Sequence, residues 1–487
     1  MKFRDFSAHL TPVPIALVLG IAAASVASAS TPVQKMSDTV ETLCPTLKKV
    51  FTANPNALTS AEKDVLFRCG ELKRAPGQGF LDLSGAQING LDNMTSSESS
   101  TMGTSTVELA GVQNVAILGR LTVLRAKTSN SVASTGSPSS QQGLPPNSPE
   151  TYTTVSGTVP GQHTDNIEGS LFEAIDGYDG SFSQMSDFGK WGFFLTGSFG
   201  TGSKDLTPRE PGFDFDSWSL VSGLDYRISD QFVIGGALSY GVTESTVDNN
   251  GGNVDLDGVG ATIYGTYYVN AFYVDFLGGF SAKDYDTKRN VQYSVPAKAG
   301  GTTVVNQVFD SSTDAADISL SVGSGYNLNY GGFGFTPFAQ LAYLKSDIDG
   351  YTENQQGNNT NPGFGLALAV DDQDITSLTS TVGLQFDRTM NTSVAVFTPY
   401  LRFDWEHEYE NDSRNITARF ATVNSSYNAL NTIIIPTDEP DRDFFNLAAG
   451  ISAVLQGGFQ LFLDYSTVLD YENITLHKFT GGLRWEF

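Results

Sequence analysis

The residue types in this chain that most readily do chemistry are two cysteines, Cys44 and Cys69, and four histidines. The histidines are His9, His163, His407 and His477. They are scattered, so no metal-ligand spacing exists among them. The nearest match to a serine-hydrolase motif, residues 237–241 (Ala-Leu-Ser-Tyr-Gly), lies inside a strand-like segment with no histidine close in sequence. We therefore predict no enzyme, no cofactor and no metal site.

The two cysteines predict a single disulfide across a small helical hairpin. Pro45 suits the first turn of one helix, and the capping box at residues 59–62 (Thr-Ser-Ala-Glu) opens a second helix that carries Cys69. In an antiparallel hairpin the start of the first helix lies beside the end of the second, which brings the two sulfurs together. The alternative is two unpaired buried thiols.

A disulfide requires an oxidising compartment, and the N-terminus predicts export to one. Lys2 and Arg4 precede an apolar stretch over residues 12–24, and Ala27-Ser28-Ala29 supplies a small-residue cleavage pattern. The apolar stretch is too short for a spanning helix. Residues 1–29 are therefore interpreted as a signal peptide that directs the chain out of a bacterial cytoplasm.

The composition narrows the class of protein further. Charged residues make up 17% of the chain, whereas 50 glycines, 32 phenylalanines and 19 tyrosines are present; soluble domains carry about 25% charge. The balance of 28 basic to 53 acidic residues gives a net charge of −25. Such a charge excludes nucleic-acid binding through phosphate contacts.

Five further segments follow the signal peptide. Residues 30–76 hold the helical hairpin, and residues 77–100 are rich in Gly, Asn and Ser. Residues 101–126 are predicted to form a helix opened by a second capping box at 105–108 (Ser-Thr-Val-Glu). Residues 127–189 are a low-complexity linker rich in Ser, Thr, Gly and Pro. Residues 190–487 have a different pattern throughout.

That last segment alternates strictly between apolar and polar or small residues. Phe272, Val274, Phe276 and Phe280 share one face of a strand, for example. The alternating segments are 190–200, 214–228, 231–243, 256–269, 271–285, 315–329, 332–346, 374–389, 393–409, 442–455, 458–469 and 474–487. Short turns alternate with long polar connections. The long ones lie at 201–213, 244–255, 286–314, 347–373 and 410–441, with one brief exception at 470–473.

Twelve strands with short turns at one end and long loops at the other predict a closed antiparallel transmembrane β-barrel. An even count leaves no strand edge in lipid. The fold class is therefore mainly β, a 12-stranded C-terminal barrel preceded by a pore helix and a small α-helical N-terminal segment. Residues 248–252 (Asp-Asn-Asn-Gly-Gly) in one long loop resemble half a calcium loop, but an acidic turn explains them better.

The C-terminus carries a second signal. Residues 480–487 (Thr-Gly-Gly-Leu-Arg-Trp-Glu-Phe) combine a polar residue and glycine with alternating hydrophobics and a terminal aromatic. Barrel proteins of bacterial outer membranes end similarly, and their assembly machinery reads this strand. We therefore predict an assembly signal; the alternative is an ordinary amphipathic strand. Its members are Thr480, Gly482, Leu483, Trp485 and Phe487.

Several of these stretches resemble the autotransporter (type V secretion) β-domain. The stretch 224–227 (Leu-Asp-Tyr-Arg), followed by 235–240 (Gly-Gly-Ala-Leu-Ser-Tyr), is similar to that family's second and third strands, and 482–487 matches its closing strand. The segment with Arg120 and Arg125 resembles the helix that occupies the pore. The resemblance covers the barrel and, with this helix, most of the chain.

The resemblance implies an outer-membrane translocator that exports or displays a short N-terminal passenger. It also implies outer-membrane lipid, the assembly machinery and periplasmic chaperones as partners; it names no surface ligand. The inward-facing Asp275, Arg402, Asp404 and Glu406 are expected to be ordinary lumen residues rather than the self-cleaving acids of some autotransporters. The alternative function is a surface adhesin or structural barrel acting through its long loops; a passive pore is a weaker alternative, since a helix would block the lumen.

Overall fold

The computed structural model describes residues 31–95, 98–107, 109–110, 190–297, 300–330, 332–357, 360–455 and 459–487. The predicted signal peptide and the linker at 127–189 lie outside the described residues. So does most of the predicted pore helix, including Arg120 and Arg125.

Twelve antiparallel strands of the described chain close into one barrel. Each pairs with the next in sequence, and the first pairs with the last, Phe193 opposite Trp485 for example. This confirms the predicted strand count and closure. The strands are β1 (Trp191–Lys204), β2 (Phe213–Ser229), β3 (Phe232–Val247), β4 (Gly252–Val269), β5 (Phe272–Pro296), β6 (Thr302–Tyr326), β7 (Phe333–Ile348), β8 (Gln373–Arg388), β9 (Ala395–Glu408), β10 (Asp443–Leu455), β11 (Phe459–Leu469) and β12 (Ile474–Glu486).

The two faces of the barrel follow the alternation of the sequence. On β3, Ile234 and Leu238 are exposed on the outer surface, whereas Val233 and Thr243 are buried inside. Side chains of successive strand residues point to opposite faces, so this period of two produces an apolar outside and a largely polar inside. Both ends of the barrel lie at the short-turn end, where the Phe487 amide donates to the Trp191 carbonyl over 3.1 Å.

Two of the predicted long loops are wrong. Residues 286–314 continue β5 and β6 as a long hairpin, and the connection predicted at 244–255 is a one-turn 3-10 helix, Asp248–Asn250, between extended strands. Asn249 has φ 55° and Gly252 φ 135°, left-handed values that asparagine and glycine tolerate. The strands extend beyond their predicted ends because their outer face becomes polar where it no longer faces lipid, while Val254, Tyr293 and Val305 are buried on the inner face.

The hairpin, the remaining long connections and the N-terminal segment form a folded unit at the long-loop end, here called the cap. Its helices are α1 (Pro32–Ala53), α2 (Ser60–Leu72) and α3 (Gly85–Asp92), with one-turn 3-10 helices at Phe80–Asp82 and Ser425–Leu430. Its sheet orders the strands Ile433–Pro436, Asn415–Phe420, Leu368–Val370 and Tyr351–Thr352. Short strands at Leu328–Tyr330, Asn354–Gln356 and Met390–Asn391 extend the barrel pairings.

One hydrophobic core joins these cap elements. Leu43 and Leu47 of α1 and Leu91 of α3 are fully buried together with Tyr293 of the hairpin and Phe420 of the sheet. Residues more than 300 positions apart therefore contribute to the same core. The helices alone would leave this apolar face in water, so the cap depends on both parts of the chain.

The helical hairpin differs from the prediction in one detail. The α2 capping box is confirmed, with Thr59 and Glu62 bonded reciprocally. Pro45, however, lies inside α1, which begins at Pro32 with Thr31 as its N-cap. The proline removes one helical hydrogen bond, and the buried apolar stripe on either side of it holds the helix together. A disulfide joins Cys44 to Cys69, whose Cα atoms are 5.8 Å apart.

The segment at 77–100 is more regular than its composition suggested, because it contains α3 and the start of a fourth helix. This helix, α4, is described over residues 98–107 and 109–110. The capping box predicted at Ser105 is therefore wrong, since Ser105 lies within α4. Ser and Thr are buried along much of this helix, so their hydroxyls serve tertiary contacts rather than a cap.

Six inward-facing aromatic side chains each lie over a glycine of the neighbouring strand. A Cβ on any of these glycines would come within 2.3–2.5 Å of the opposite aromatic side chain. Each odd-numbered strand is joined to the next strand by one of these six pairs, and Phe215 over Gly202 adds a seventh between β1 and β2. The pairs are Phe194 with Gly223, Tyr264 with Gly235, Tyr273 with Gly325, Phe338 with Gly383, Tyr400 with Gly450 and Phe462 with Gly482.

We expect Gly235→Ala to destabilise the barrel by about 1–3 kcal/mol, because the added methyl group overlaps the Tyr264 ring. Gly236→Ala is the matched control, since a Cβ there has its nearest neighbour at 3.8 Å. The measurement is the temperature at which the compact, fast-migrating form is lost on gels of unboiled samples. Equal temperatures for the two variants would contradict the packing role of the pair.

Candidate functional site

The place where the cap meets the barrel is built around α4, which leans against the inner wall at the long-loop end. Ser105 lies 3.0 Å from the Ser245 hydroxyl of β3, and the Thr106 hydroxyl bonds to the Tyr285 hydroxyl of β5. Further along the helix, Leu109 occupies the space beside Gly241 of β3. The helix thus runs from the cap into the lumen.

Lys283 of β5 fixes the backbone of α4. Its ammonium donates to the Thr106 carbonyl over 3.1 Å and forms an ion pair with Asp317 of β6. The side chains of Lys283 and Asp317 are 0% and 2% exposed. A buried charge needs compensating partners, and Ser281 supplies another hydrogen bond to Asp317, over 3.2 Å.

Arg289, six residues further along β5, ties four parts of the chain together. Its guanidinium forms a bidentate contact with Glu353, with distances of 2.7 and 2.5 Å. It also donates to the carbonyls of Asn93 and Leu366, and it lies 3.6 Å from Glu98 of α4. This fork geometry suits arginine in particular. The barrel wall, the segment after α3, the helix α4 and a long connection are therefore fixed at one point.

A second group of charged residues lies where the long connections meet α4. Arg414 reaches the helix at Gly103, where a side chain would collide with its guanidinium. Burial lowers the pKa of Arg414, and nearby Glu210 acts in the opposite direction. Lys204 joins Glu210 and Asp438 at 2.5 and 2.6 Å, which links two connections at the rim. A long connection thus contacts α4 through Arg414, in addition to the contacts that Lys283 and Arg289 make from the barrel wall.

The N-terminal helices are bonded directly to the long connections. Asp64 of α2 accepts hydrogen bonds from the amides of Gly363 and Gly365, over 3.1 and 2.9 Å. Glu62 accepts one from the Asn424 amide, over 3.1 Å, and the Thr39 hydroxyl of α1 donates to the Thr432 carbonyl. These bonds fix the helices relative to the barrel mouth as well as to each other.

Beside the inner end of α4, the lumen contains a cavity of about 570 Å³. Val107 and Ala110 face it from the helix. Across it lie the polar residues predicted for the lumen. Arg402 pairs with Asp404 at 3.0 Å, Asn446 donates to both Asp404 and Glu406, and Asp275 is buried in the same wall. Arg402, Asp404, Glu406 and Asn446 are engaged with one another, as expected for a polar lumen.

The residues of the C-terminal signal lie on β12 and divide between its two faces. Thr480 points inward and bonds to the Ser198 hydroxyl over 3.1 Å, and Gly482 lies under Phe462. Leu483, Trp485 and Phe487 are exposed on the outer surface.

The positions contacting α4 were missed by the sequence analysis. Lys283 and Arg289 fall on the inward face of β5, the same face as Asp275 and Ser281. The alternation assigned the direction of Lys283, whereas Arg289 lies in the connection predicted at 286–314. What the alternation lacks is any indication that a helix lies opposite them. Arg414 lies in an irregular connection and gave no signal.

None of the helices in the described part of the chain is long and apolar enough to span a membrane. A family model, the autotransporter beta-domain, matches residues 193–466, more than half of the chain. Among curated proteins, none matches the sequence.

Several solved structures are similar in fold. The translocator domain of autotransporter NalP from Neisseria meningitidis is 14% identical, with 65% of this chain and 93% of that chain covered and a TM-score of 0.46. The β domain of the Bordetella autotransporter BrkA is 16% identical, with 61% and 100% covered and a TM-score of 0.40. The transport unit of AIDA-I from Escherichia coli is 12% identical, with 65% and 96% covered and a TM-score of 0.40.

We expect Lys283→Met to destabilise the protein by about 3–5 kcal/mol, because it leaves Asp317 buried without its cation. Lys283→Met/Asp317→Leu should recover most of this loss, since no uncompensated charge then remains. The measurement is the urea midpoint of unfolding, followed by tryptophan fluorescence. A double variant as unstable as the single one would show that the pair does not act through its charge.

Proposed function

The chain belongs to the autotransporter β-domain family, and from this we propose that its barrel translocates its own N-terminal segment and keeps it folded at the cell surface. The family's barrels lie in the bacterial outer membrane and serve secretion. For this chain we propose a short passenger, residues 31–95, that remains attached and becomes the helical part of the cap.

One observation carries this proposal: the cap core contains side chains from both the N-terminal helices and the long connections. The helices therefore reach their packed state only where the long connections are. Residue 110 lies in the lumen, whereas Trp191 begins the barrel at the short-turn end. The chain therefore enters the lumen from the cap, and its barrel begins at the opposite end. This is the arrangement expected when an N-terminal passenger has crossed the pore of its own barrel.

The orientation and the remaining segments belong to the same proposal. The long connections and the cap face outward, and the short turns face the periplasm. Residues 1–29 are removed as a signal peptide, and the Cys44–Cys69 disulfide forms after export. Arg120 and Arg125 continue the pore helix of residues 101–126, and residues 127–189 link it to the barrel.

Assembly would use the partners typical of this family. We propose that periplasmic chaperones carry the chain and that the assembly machinery recognises β12 through Thr480, Gly482, Leu483, Trp485 and Phe487. Three of these side chains lie on the outer face, where lipid would meet them.

Adhesion through free long loops is disfavoured by the same cap core. The two longest connections form the cap sheet and bury Leu366, Leu368 and Ile433 beneath the helices. Any surface binding would therefore use the cap as a whole.

The location of the cap is tested by protease accessibility on intact cells. A protease site inserted at the exposed turn after α1, beside Asn54 and Asn56, should be cut without permeabilising the outer membrane. The same site inserted at Val394, in a short turn, should be cut only after permeabilisation. Protection of the first site, or cutting of both in intact cells, would contradict the proposed orientation.

Deleting Phe487 should sharply lower the amount of protein in the outer membrane. Burial of one phenylalanine is worth only about 2 kcal/mol, so a large loss would be kinetic, through failed recognition and degradation. Phe272→Asp is the control, because Phe272 is as exposed as Phe487, 46% for each. The measurement is a quantitative immunoblot of outer-membrane fractions. Equal levels for the deletion and wild type would show that β12 only closes the barrel and is not an assembly signal.

A further inference from the structure

The outer surface of the helical hairpin carries a strip of two lysines and two phenylalanines, here called the basic strip. Its members are Lys48, Phe51, Lys63 and Phe67. Lys48 lies three residues before Phe51 on α1, and Lys63 lies four residues before Phe67 on α2, spacings that place side chains next to each other on a helix. The two rings meet edge to face with centroids 6.2 Å apart, which joins the two halves.

The strip is available to a ligand. Phe67 is 50% exposed, although a large aromatic side chain is usually more buried. Lys48 is exposed and Lys63 half-buried. Within the part of the chain that the structure describes, neither lysine forms an ion pair.

The nearby carboxylates are engaged elsewhere. Glu71 binds Arg68 and Thr303, and Asp64 is buried against two loop amides and Arg68. Glu41 lies beside Lys73 and Arg74. The positive charge of the strip therefore remains uncompensated on a chain whose net charge is −25.

We propose that the basic strip binds an acidic polysaccharide. The lysines would contact its sulfate or carboxylate groups, and the exposed face of Phe67 would stack on the apolar face of a sugar ring. The disulfide supports this arrangement, because Cys44 and Cys69 fix the axial register of the two helices and hence the spacing of the strip. A membrane surface fits less well, since insertion needs a wider apolar face than one half-exposed ring.

A biological role for this binding rests on the proposed outward location of the cap, whereas binding by purified protein does not depend on that location. Loss of binding and loss of surface accessibility are therefore separate outcomes.

The test uses the full chain purified in detergent, with heparin as the acidic probe and dextran of similar length as the neutral one. Wild type should bind heparin at low salt concentration, and its affinity for heparin should fall as the salt concentration increases. It should not bind dextran. Lys48→Gln/Lys63→Gln should weaken binding by about tenfold or more, because two lysine contacts with the anionic probe are lost. Phe67→Ser should weaken it by about fivefold through lost stacking, without changing the salt dependence.

The matched control is Lys35→Gln/Lys288→Gln, which removes the same charge from other positions of α1 and β5. It should bind like wild type. All variants should keep the wild-type temperature for loss of the compact gel form, since the replaced side chains lie at the surface. No heparin binding by wild type, equal weakening in the control, or preference for anionic phospholipid vesicles over heparin would overturn the proposal.

Discussion

Closure of the barrel is the constraint on which the rest of the molecule depends. Lipid offers no hydrogen bonds to the backbone, so β1 must pair with β12 and every strand must have two neighbours. An even number of antiparallel strands brings both ends of the barrel to the short-turn end. The N-terminal segment packs at the opposite end, and the described part of α4 leads from it into the lumen. Architecture and the proposed function thus follow from the same pairing.

The closed wall also creates a buried polar interior in which charges must be compensated. Lys283 and Arg289 meet this requirement by pairing with Asp317 and Glu353 and by donating to backbone carbonyls. A helix rich in Ser and Thr suits such a lumen because its hydroxyls bond to the wall. Gly103 leaves room for Arg414. The mouth is therefore held by polar contacts, in contrast to the hydrophobic cap above it.

The cap joins the N-terminal segment to the barrel through a shared hydrophobic core. Its helices have an apolar face too small to form a separate core, and the long connections supply the other half. The disulfide and the hydrogen bonds from Asp64 and Glu62 then fix the geometry of a unit with sequence-distant parts. The basic strip lies on the outer surface of this unit, where we propose that a partner binds.

The sequence by itself determined the barrel, because a period of two indicates which side chains face lipid. It also determined the number of strands, which end of the barrel carries the short turns, and the N-terminal capping box of α2. Those signals are local. The extension of β5 and β6, the presence of helix at residues 98–107 and the position of Pro45 within α1 were decided by packing against distant residues. An apolar stripe such as that of Leu43 and Leu47 indicates that one face of a helix is buried, but it does not indicate which residues that face packs against. Likewise, the inward direction of Lys283 was readable, whereas its contact with Thr106 depends on where the tertiary structure places α4.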